Sequence, residues 1–159
     1  VTLSRDMMLT AVLVAAAIMV PSQFYFSGLS DRLGRKTVYR WGAILTGLWG
    51  FALFPLIDTG NPFAICFAVT MGLVFLGMQY GPQAAFFTEL FSTEVRYSGA
   101  SLGYQLGAIV GGALAPTIAV LLWNNFGIFY VSVYIALAAI LTLTSLSQLT
   151  ETKGSDLTD

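Results

Sequence analysis

The sequence predicts an all-α fold: a polytopic membrane bundle of five transmembrane helices. Hydrophobic residues make up 57% of the 159 residues and charged residues only 9%, whereas a soluble domain carries about 25% charged residues. The charges fall almost entirely between long apolar stretches. Transmembrane barrel strands would need segments of about ten alternating residues, and the sequence shows none. A soluble globule of this composition would expose apolar surface nearly everywhere and aggregate.

Five apolar stretches are long enough to span a bilayer. A hydrocarbon core of about 30 Å requires about 20 residues at 1.5 Å per residue, and each span must be a helix because lipid offers the backbone no hydrogen-bond partners. We predict spans over residues 7–29, 38–57, 63–87, 98–123 and 126–148. They divide the chain into a transmembrane bundle over 1–150 and a polar tail over 151–159, which we expect to lack fixed structure.

The distribution of Lys and Arg predicts the orientation of the bundle. Five spans place the two termini on opposite sides, and the side that holds the N-terminus has only Arg5. The other side holds Arg32, Arg35, Lys36, Arg40, Arg96 and Lys153. By the positive-inside rule this second side, with the C-terminus, is cytoplasmic.

Composition also excludes several classes of function. The chain has no His and a single Cys, Cys66, within an apolar stretch, which argues against His-based catalysis, zinc sites and an intrachain disulfide. We therefore expect no metal, no cofactor and no enzyme activity. A net charge of −1 without a basic run argues against nucleic acid as a partner. The chain begins at Val1 without a charged leader, and we interpret it as part of a longer protein.

The turn between the first two spans is the first candidate site. Its glycines permit close approach of helices, and Asp31 can accept hydrogen bonds from backbone amides or from Arg35. The alternative is a solvated loop that only follows the membrane charge bias. The candidate residues are Gly28, Asp31, Arg32, Gly34, Arg35 and Lys36.

Glu89 and Arg96 form a second candidate pair, in the turn before the fourth span. A carboxylate at the edge of a span is costly unless it is paired, and Arg96 is its nearest expected partner. Together with Asp31 and Arg35, this pair would form a cytoplasmic gate that stabilises one conformation and opens in another. A static ion pair that anchors a helix end is the alternative.

The fourth span carries glycines at a strict spacing of four: Gly99, Gly103, Gly107 and Gly111. Such a stripe of small residues lets another helix approach closely. We therefore predict that these glycines form a helix-packing face along which helices can rock.

Polar residues concentrate within the first, third and fourth spans, which we expect to face an aqueous interior, while the second and fifth face lipid. Hydrogen bonding between helices without any cavity would explain the same pattern. The candidate cavity-lining residues are Gln23, Gln79, Tyr80, Gln83, Ser101, Tyr104 and Gln105.

These motifs resemble a known family. Residues 28–36, which read Gly-x-x-Asp-Arg-x-Gly-Arg-Lys, resemble the signature loop of the major facilitator superfamily in its C-terminal half. Residues 80–91 and 95–116 resemble the metabolite:proton symporter subfamily, which includes bacterial shikimate, proline/betaine, citrate and 2-oxoglutarate carriers. The resemblance covers about residues 6–150.

The resemblance implies a twelve-helix carrier of two halves, in which the five spans are helices eight to twelve. It implies secondary active transport of a small organic acid or zwitterion, by proton symport, in a bacterial inner membrane. The partners would be the metabolite, protons, the lipid bilayer and the missing N-terminal helices. The fragment alone should not transport, because alternating access requires both halves.

Two other classes of function are alternatives to transport: a membrane scaffold or subunit, and a membrane-embedded enzyme. A non-transporting membrane scaffold or subunit would need a partner to cover its polar face. A membrane-embedded enzyme would need a nucleophile–base or metal constellation, and the sequence offers none.

Overall fold

The computed structural model describes residues 5–92 and 94–152, without the side chain of Val110, and this part of the chain contains five long helices. All five are long and apolar enough to cross a membrane, which confirms the predicted helical bundle. They are α1 (Arg5–Leu33), α2 (Arg35–Asp58), α3 (Pro62–Glu89), α4 (Arg96–Phe126) and α5 (Ile128–Gln148).

The turn between α1 and α2 is much shorter than the loop that the sequence suggested. α1 ends at Leu33 and α2 begins at Arg35, so Gly34 alone breaks the helix. Gly34 has φ +109°, a conformation that L side chains rarely adopt, and its N–H donates to the Ser30 carbonyl at 2.9 Å. The charged residues on either side are therefore held on helix ends and not on a solvated loop.

α2 lies in the middle of the packed helices. It packs against α3 on one side and α5 on the other, while α1 packs mainly against α3. A Cβ atom placed on Gly81 of α3 would lie 2.7 Å from the backbone oxygen of Gln23, and one on Gly47 of α2 would lie 2.7 Å from the Ala139 Cβ. These glycines bring neighbouring helices close, because any side chain there would collide with the next helix.

α4 is the least covered helix. Its first part, Arg96–Gly107, lies along α3, and its last part, Leu114–Phe126, lies along α5. Between them Ala108–Ala113 form a π-helical turn, an irregularity often found at functional sites. None of the described side chains of α4 is buried.

The predicted glycine stripe on α4 is not a packing face within these five helices. A Cβ atom placed on Gly103, Gly107 or Gly111 would meet nothing within 4 Å, and only Gly99 has a neighbour, the ring of Phe91.

The first two residues of the tail, Glu151 and Thr152, differ from the sequence prediction. We expected no fixed structure from Glu151 onward, but Thr152 is only 5% exposed and both residues hydrogen-bond to helix ends. This expectation is wrong for Glu151 and Thr152 because they have polar partners within the bundle. Residues 153–159, and with them Lys153, lie outside the described residues, as does Thr93.

Candidate functional site

Arg35, the first residue of α2, joins Asp31 and Glu89 in a charge cluster. One terminal nitrogen, Nη1, pairs with the Asp31 carboxylate across the Gly34 break and also donates to the Ser30 hydroxyl at 2.9 Å. Its Nε donates to Glu89 Oε1 at 3.3 Å. The Arg35 and Glu89 side chains are only 16% and 14% exposed, whereas Asp31 is 59% exposed. The Arg35–Glu89 pair is therefore the sheltered part of the cluster.

Both sheltered charges stand at the helix end that disfavours them. A cation is unfavourable at a helix N-terminus and an anion at a C-terminus, yet Arg35 begins α2 and Glu89 ends α3. Their mutual pairing compensates for this arrangement. Loss of Glu89 would leave Arg35 with the exposed Asp31 as its remaining carboxylate partner.

The segment over residues 149–152 closes over the charge cluster. The Thr152 hydroxyl donates to Glu89 Oε2 at 2.5 Å, and the backbone N–H of Lys36 donates to Glu151 Oε1 at 3.2 Å. The Lys36 ammonium donates to the Leu149 carbonyl. A carboxylate at the start of α2 complements the helix dipole, so Glu151 caps this helix from a distant part of the chain.

Arg96 does not pair with Glu89, contrary to the sequence prediction. Its Nε donates to the Phe91 carbonyl at 3.3 Å, which ties the start of α4 to the turn before it. Arg35 is the partner of Glu89 instead, because the break at Gly34 places Arg35 beside the end of α3. The remaining signature residues, Gly28 and Arg32, lie on the exposed surface of α1.

A hollow of about 370 Å³ lies between α3 and α4. It brings together three of the predicted cavity-lining residues, Tyr80, Gln83 and Tyr104. Their side chains make no hydrogen bond within the described part of the chain, so a bound molecule could use their amide and hydroxyl groups. The lining residues are Tyr80, Gln83, Ala84, Phe87, Thr88, Ala100 and Tyr104.

The other predicted cavity residues lie elsewhere. Gln79 donates from Nε2 to the Thr46 hydroxyl of α2 at 3.0 Å. Its contact is therefore a hydrogen bond between helices, which was the alternative to lining a cavity. Gln23 lies half-buried between α1 and α3, beside Gly77. Ser101 and Gln105 are exposed on α4 and do not line the hollow.

Sequence reasoning missed the contribution of Ser30, Glu151 and Thr152 to this site. Ser30 is fully buried and receives the Arg35 hydrogen bond, but a serine on an apolar helix gives no signal of its own. A signal did exist for Glu151: it is the first carboxylate after the last span, and the span count places it on the same side as Arg35 and Lys36.

Comparison with known proteins defines the class. The sequence profile described as the Major Facilitator Superfamily matches residues 2–157. The inner membrane metabolite transport protein YhjE of Escherichia coli is 38% identical over 154 residues, which cover 94% of this chain and 34% of that protein. The shikimate transporter of Escherichia coli is 33% identical over 138 residues, covering 86% of this chain and 32% of that protein. No solved structure matches the chain.

The chain therefore belongs to the Major Facilitator Superfamily, a family of transporters and not of enzymes. It is related to the metabolite:proton symporters, among which the ectoine/proline transporter ProP of Corynebacterium glutamicum is 29% identical over 145 residues, covering 86% of this chain and 28% of that protein. It is a multi-pass membrane protein, and it spans about a third of the length of the curated relatives that it matches.

Proposed function

We propose that the chain forms helices eight to twelve of a twelve-helix carrier that imports a small organic acid or zwitterionic metabolite by proton symport. The hollow between α3 and α4 carries this proposal, because it gathers Tyr80, Gln83 and Tyr104, whose side chains make no hydrogen bond within the described part of the chain. The relatives support it, since their names describe carriers of metabolites, shikimate, and ectoine or proline.

The hollow is suited to a small polar solute. The Gln83 amide and the hydroxyls of Tyr80 and Tyr104 can donate to a carboxylate and accept from a hydroxyl or ammonium group. Apolar and aromatic side chains such as Phe87 form the rest of the wall. A few polar groups that fix orientation, set in an apolar wall, are typical of ligand pockets.

The exposed face of α4 supports a location beside the missing half of the carrier. A glycine stripe with nothing within 4 Å of Gly103, Gly107 and Gly111 offers a smooth surface to further helices. In carriers of this superfamily the substrate lies near the membrane midplane, between the repeats. We infer that the N-terminal helices cover α4 and complete the hollow.

The charge cluster and the segment 149–152 would act at the cytoplasmic end. Five of the six Lys and Arg residues that the structure describes fall on this side of the bundle, as the positive-inside rule requires of a cytoplasmic face. Both oxygens of the Glu89 carboxylate are engaged, one by Arg35 and one by Thr152. We propose that these contacts hold the ends of α1, α2 and α3 in one arrangement and that their exchange accompanies the opening of the carrier.

The proton-binding group of the proposed symport would lie outside this chain. Its charged residues all stand at or near the ends of the five spans, and proton relays in membranes use carboxylates or histidines within them. Glu89 is the innermost sheltered carboxylate here, and it is already paired with Arg35.

Uptake by the full-length carrier tests the proposal. Proteoliposomes should accumulate radiolabelled carboxylates or betaines when an inward proton gradient is imposed, and a protonophore should abolish the accumulation. Accumulation that survives the protonophore would contradict proton coupling. No uptake of any solute, together with a stoichiometric partner protein that co-purifies, would favour the non-transporting scaffold.

A further inference from the structure

Lys36, Arg40 and Ile44 form a ridge on α2, spaced one helical turn apart. A hollow of about 310 Å³ lies on each side of this ridge, and all three residues line both hollows. The first hollow is closed by Leu143, Leu146 and Ser147 of α5. The second is closed by Thr37 and Trp41 of α2 itself.

Among the described residues, no carboxylate lines either hollow beside the two cations of the ridge. Arg40 is exposed and has no hydrogen-bond or ion-pair partner within the described part of the chain. Lys36 donates one N–H to the Leu149 carbonyl, which leaves the other donors of its ammonium group available. The ridge therefore presents positive charge that no described side chain lining the hollows neutralises.

The depth of Arg40 fits a phospholipid headgroup. It lies five residues after the start of α2, which is about 7.5 Å along the helix at 1.5 Å per residue. Exposed Trp41 stands beside it, and tryptophan is enriched at the level of headgroups. Below the cations the walls become apolar, with Ile44 and Leu143.

We propose that the ridge binds one anionic diacyl phospholipid, with its phosphate between Lys36 and Arg40 and one acyl chain in each hollow beside Ile44. A guanidinium matches two phosphate oxygens, and basic pockets between transmembrane helices bind anionic headgroups. A free phosphate ion would use the same cations but would leave the apolar walls uncovered. A lipid fits both parts of the site, because its phosphate would meet the cations and its acyl chains would meet the apolar walls below them.

Native mass spectrometry of the full-length carrier, released from nanodiscs with equal phosphatidylglycerol and phosphatidylethanolamine, tests this site. We expect phosphatidylglycerol to be retained preferentially, and Arg40→Gln to weaken its binding about fivefold, the effect of losing one surface cation. Arg40→Lys should keep most of the affinity. Arg5→Gln, at the other end of the bundle, is the matched control and should change nothing. None of these readouts depends on transport.

Four results would overturn the proposal. One is unchanged phosphatidylglycerol retention in Arg40→Gln, and another is an equal loss in Arg5→Gln. The third is displacement of the lipid by inorganic phosphate at millimolar concentration, which would identify a site for soluble anions. Single-chain lysophosphatidylglycerol should bind more weakly than the diacyl lipid, and equal binding would contradict the placement of two chains beside Ile44.

Discussion

The Thr152 hydroxyl donates a hydrogen bond to Glu89 Oε2 at 2.5 Å, which joins the last described residue of the chain to the end of α3, 63 residues earlier. The other carboxylate oxygen, Oε1, accepts from Arg35. Thr152, which lies beyond the last transmembrane helix, thus provides the second hydrogen bond to Glu89, the sheltered carboxylate of the charge cluster.

Replacing Thr152 by Val should lower the stability of the full-length carrier while preserving the volume of the side chain. A hydrogen bond to a charged group contributes about 1.5–3 kcal/mol, and Thr152 is buried. The midpoint of thermal unfolding in detergent measures the effect. Thr152→Ser keeps the hydroxyl and should behave as the parent protein. If Val and Ser variants unfold at the same temperature, the hydrogen bond to Glu89 has no energetic role.

Arg35→Gln should reduce the initial rate of uptake by at least about tenfold, and Arg96→Gln should have a much smaller effect. Arg35 holds two carboxylates, and a loss of about 1.4 kcal/mol corresponds to a factor of ten. Arg96 contacts a backbone carbonyl instead. Rates must be normalised to the amount of carrier in the membrane. Equal losses in both variants would contradict the assignment of Arg35 as the centre of the cluster.

Gly34→Ala should destabilise the carrier for two separable reasons. The φ of +109° at this position is strained for alanine, at a cost of about 1–3 kcal/mol, and the new Cβ would lie 2.5 Å from Glu151 Oε2. Glu151→Ala in the same protein removes only the second conflict, so the double variant should recover part of the loss. A double-mutant cycle of unfolding midpoints measures this coupling. Strict additivity of the two single changes would show that Glu151 does not contact Gly34 in the membrane.

Gly103→Leu should impair folding and uptake of the full-length carrier, although nothing in the described chain lies within 4 Å of this position. The reason is that a leucine on the stripe would hold off the helix that we expect to pack there. Gly112→Leu is the matched control, since it is equally open but lies off the stripe. Monodisperse yield in detergent and uptake are the two measurements. Comparable tolerance at both sites would contradict the proposal that the missing helices cover the stripe.

Gln83→Leu should raise the KM for the transported solute about two- to tenfold, the effect of losing one ordinary hydrogen bond. Gln79→Leu should instead lower the unfolding temperature with little change in KM, because Gln79 bonds to Thr46 of α2. Concentration-dependent uptake by the two variants separates the roles. A raised KM in Gln79→Leu alone would move the substrate to the interface of α2 and α3.

Much of the architecture could be predicted because it depends on local composition. An apolar run of sufficient length must be a helix in lipid, whatever its neighbours, so all five helices could be predicted from the sequence. Tyr80 and Gln83, both among the predicted cavity-lining residues, lie three residues apart on α3 and both line the hollow. Packing glycines were harder to predict: the regular stripe on α4 is open, while the irregularly spaced Gly47 and Gly81 make the close contacts.

The sequence by itself determined that the chain forms helices long and apolar enough to cross a membrane, five of them in the described part, and it predicted which side carries the cations and which residues could bind a polar solute. Hydrophobicity and helical periodicity are properties of the chain alone, and no fold is needed to read them. Only the tertiary structure decided that Arg35, and not Arg96, pairs with Glu89, and that Thr152 returns to the end of α3. Such contacts depend on where helix ends meet in space, which the single break at Gly34 and the packing of α2 between α3 and α5 establish.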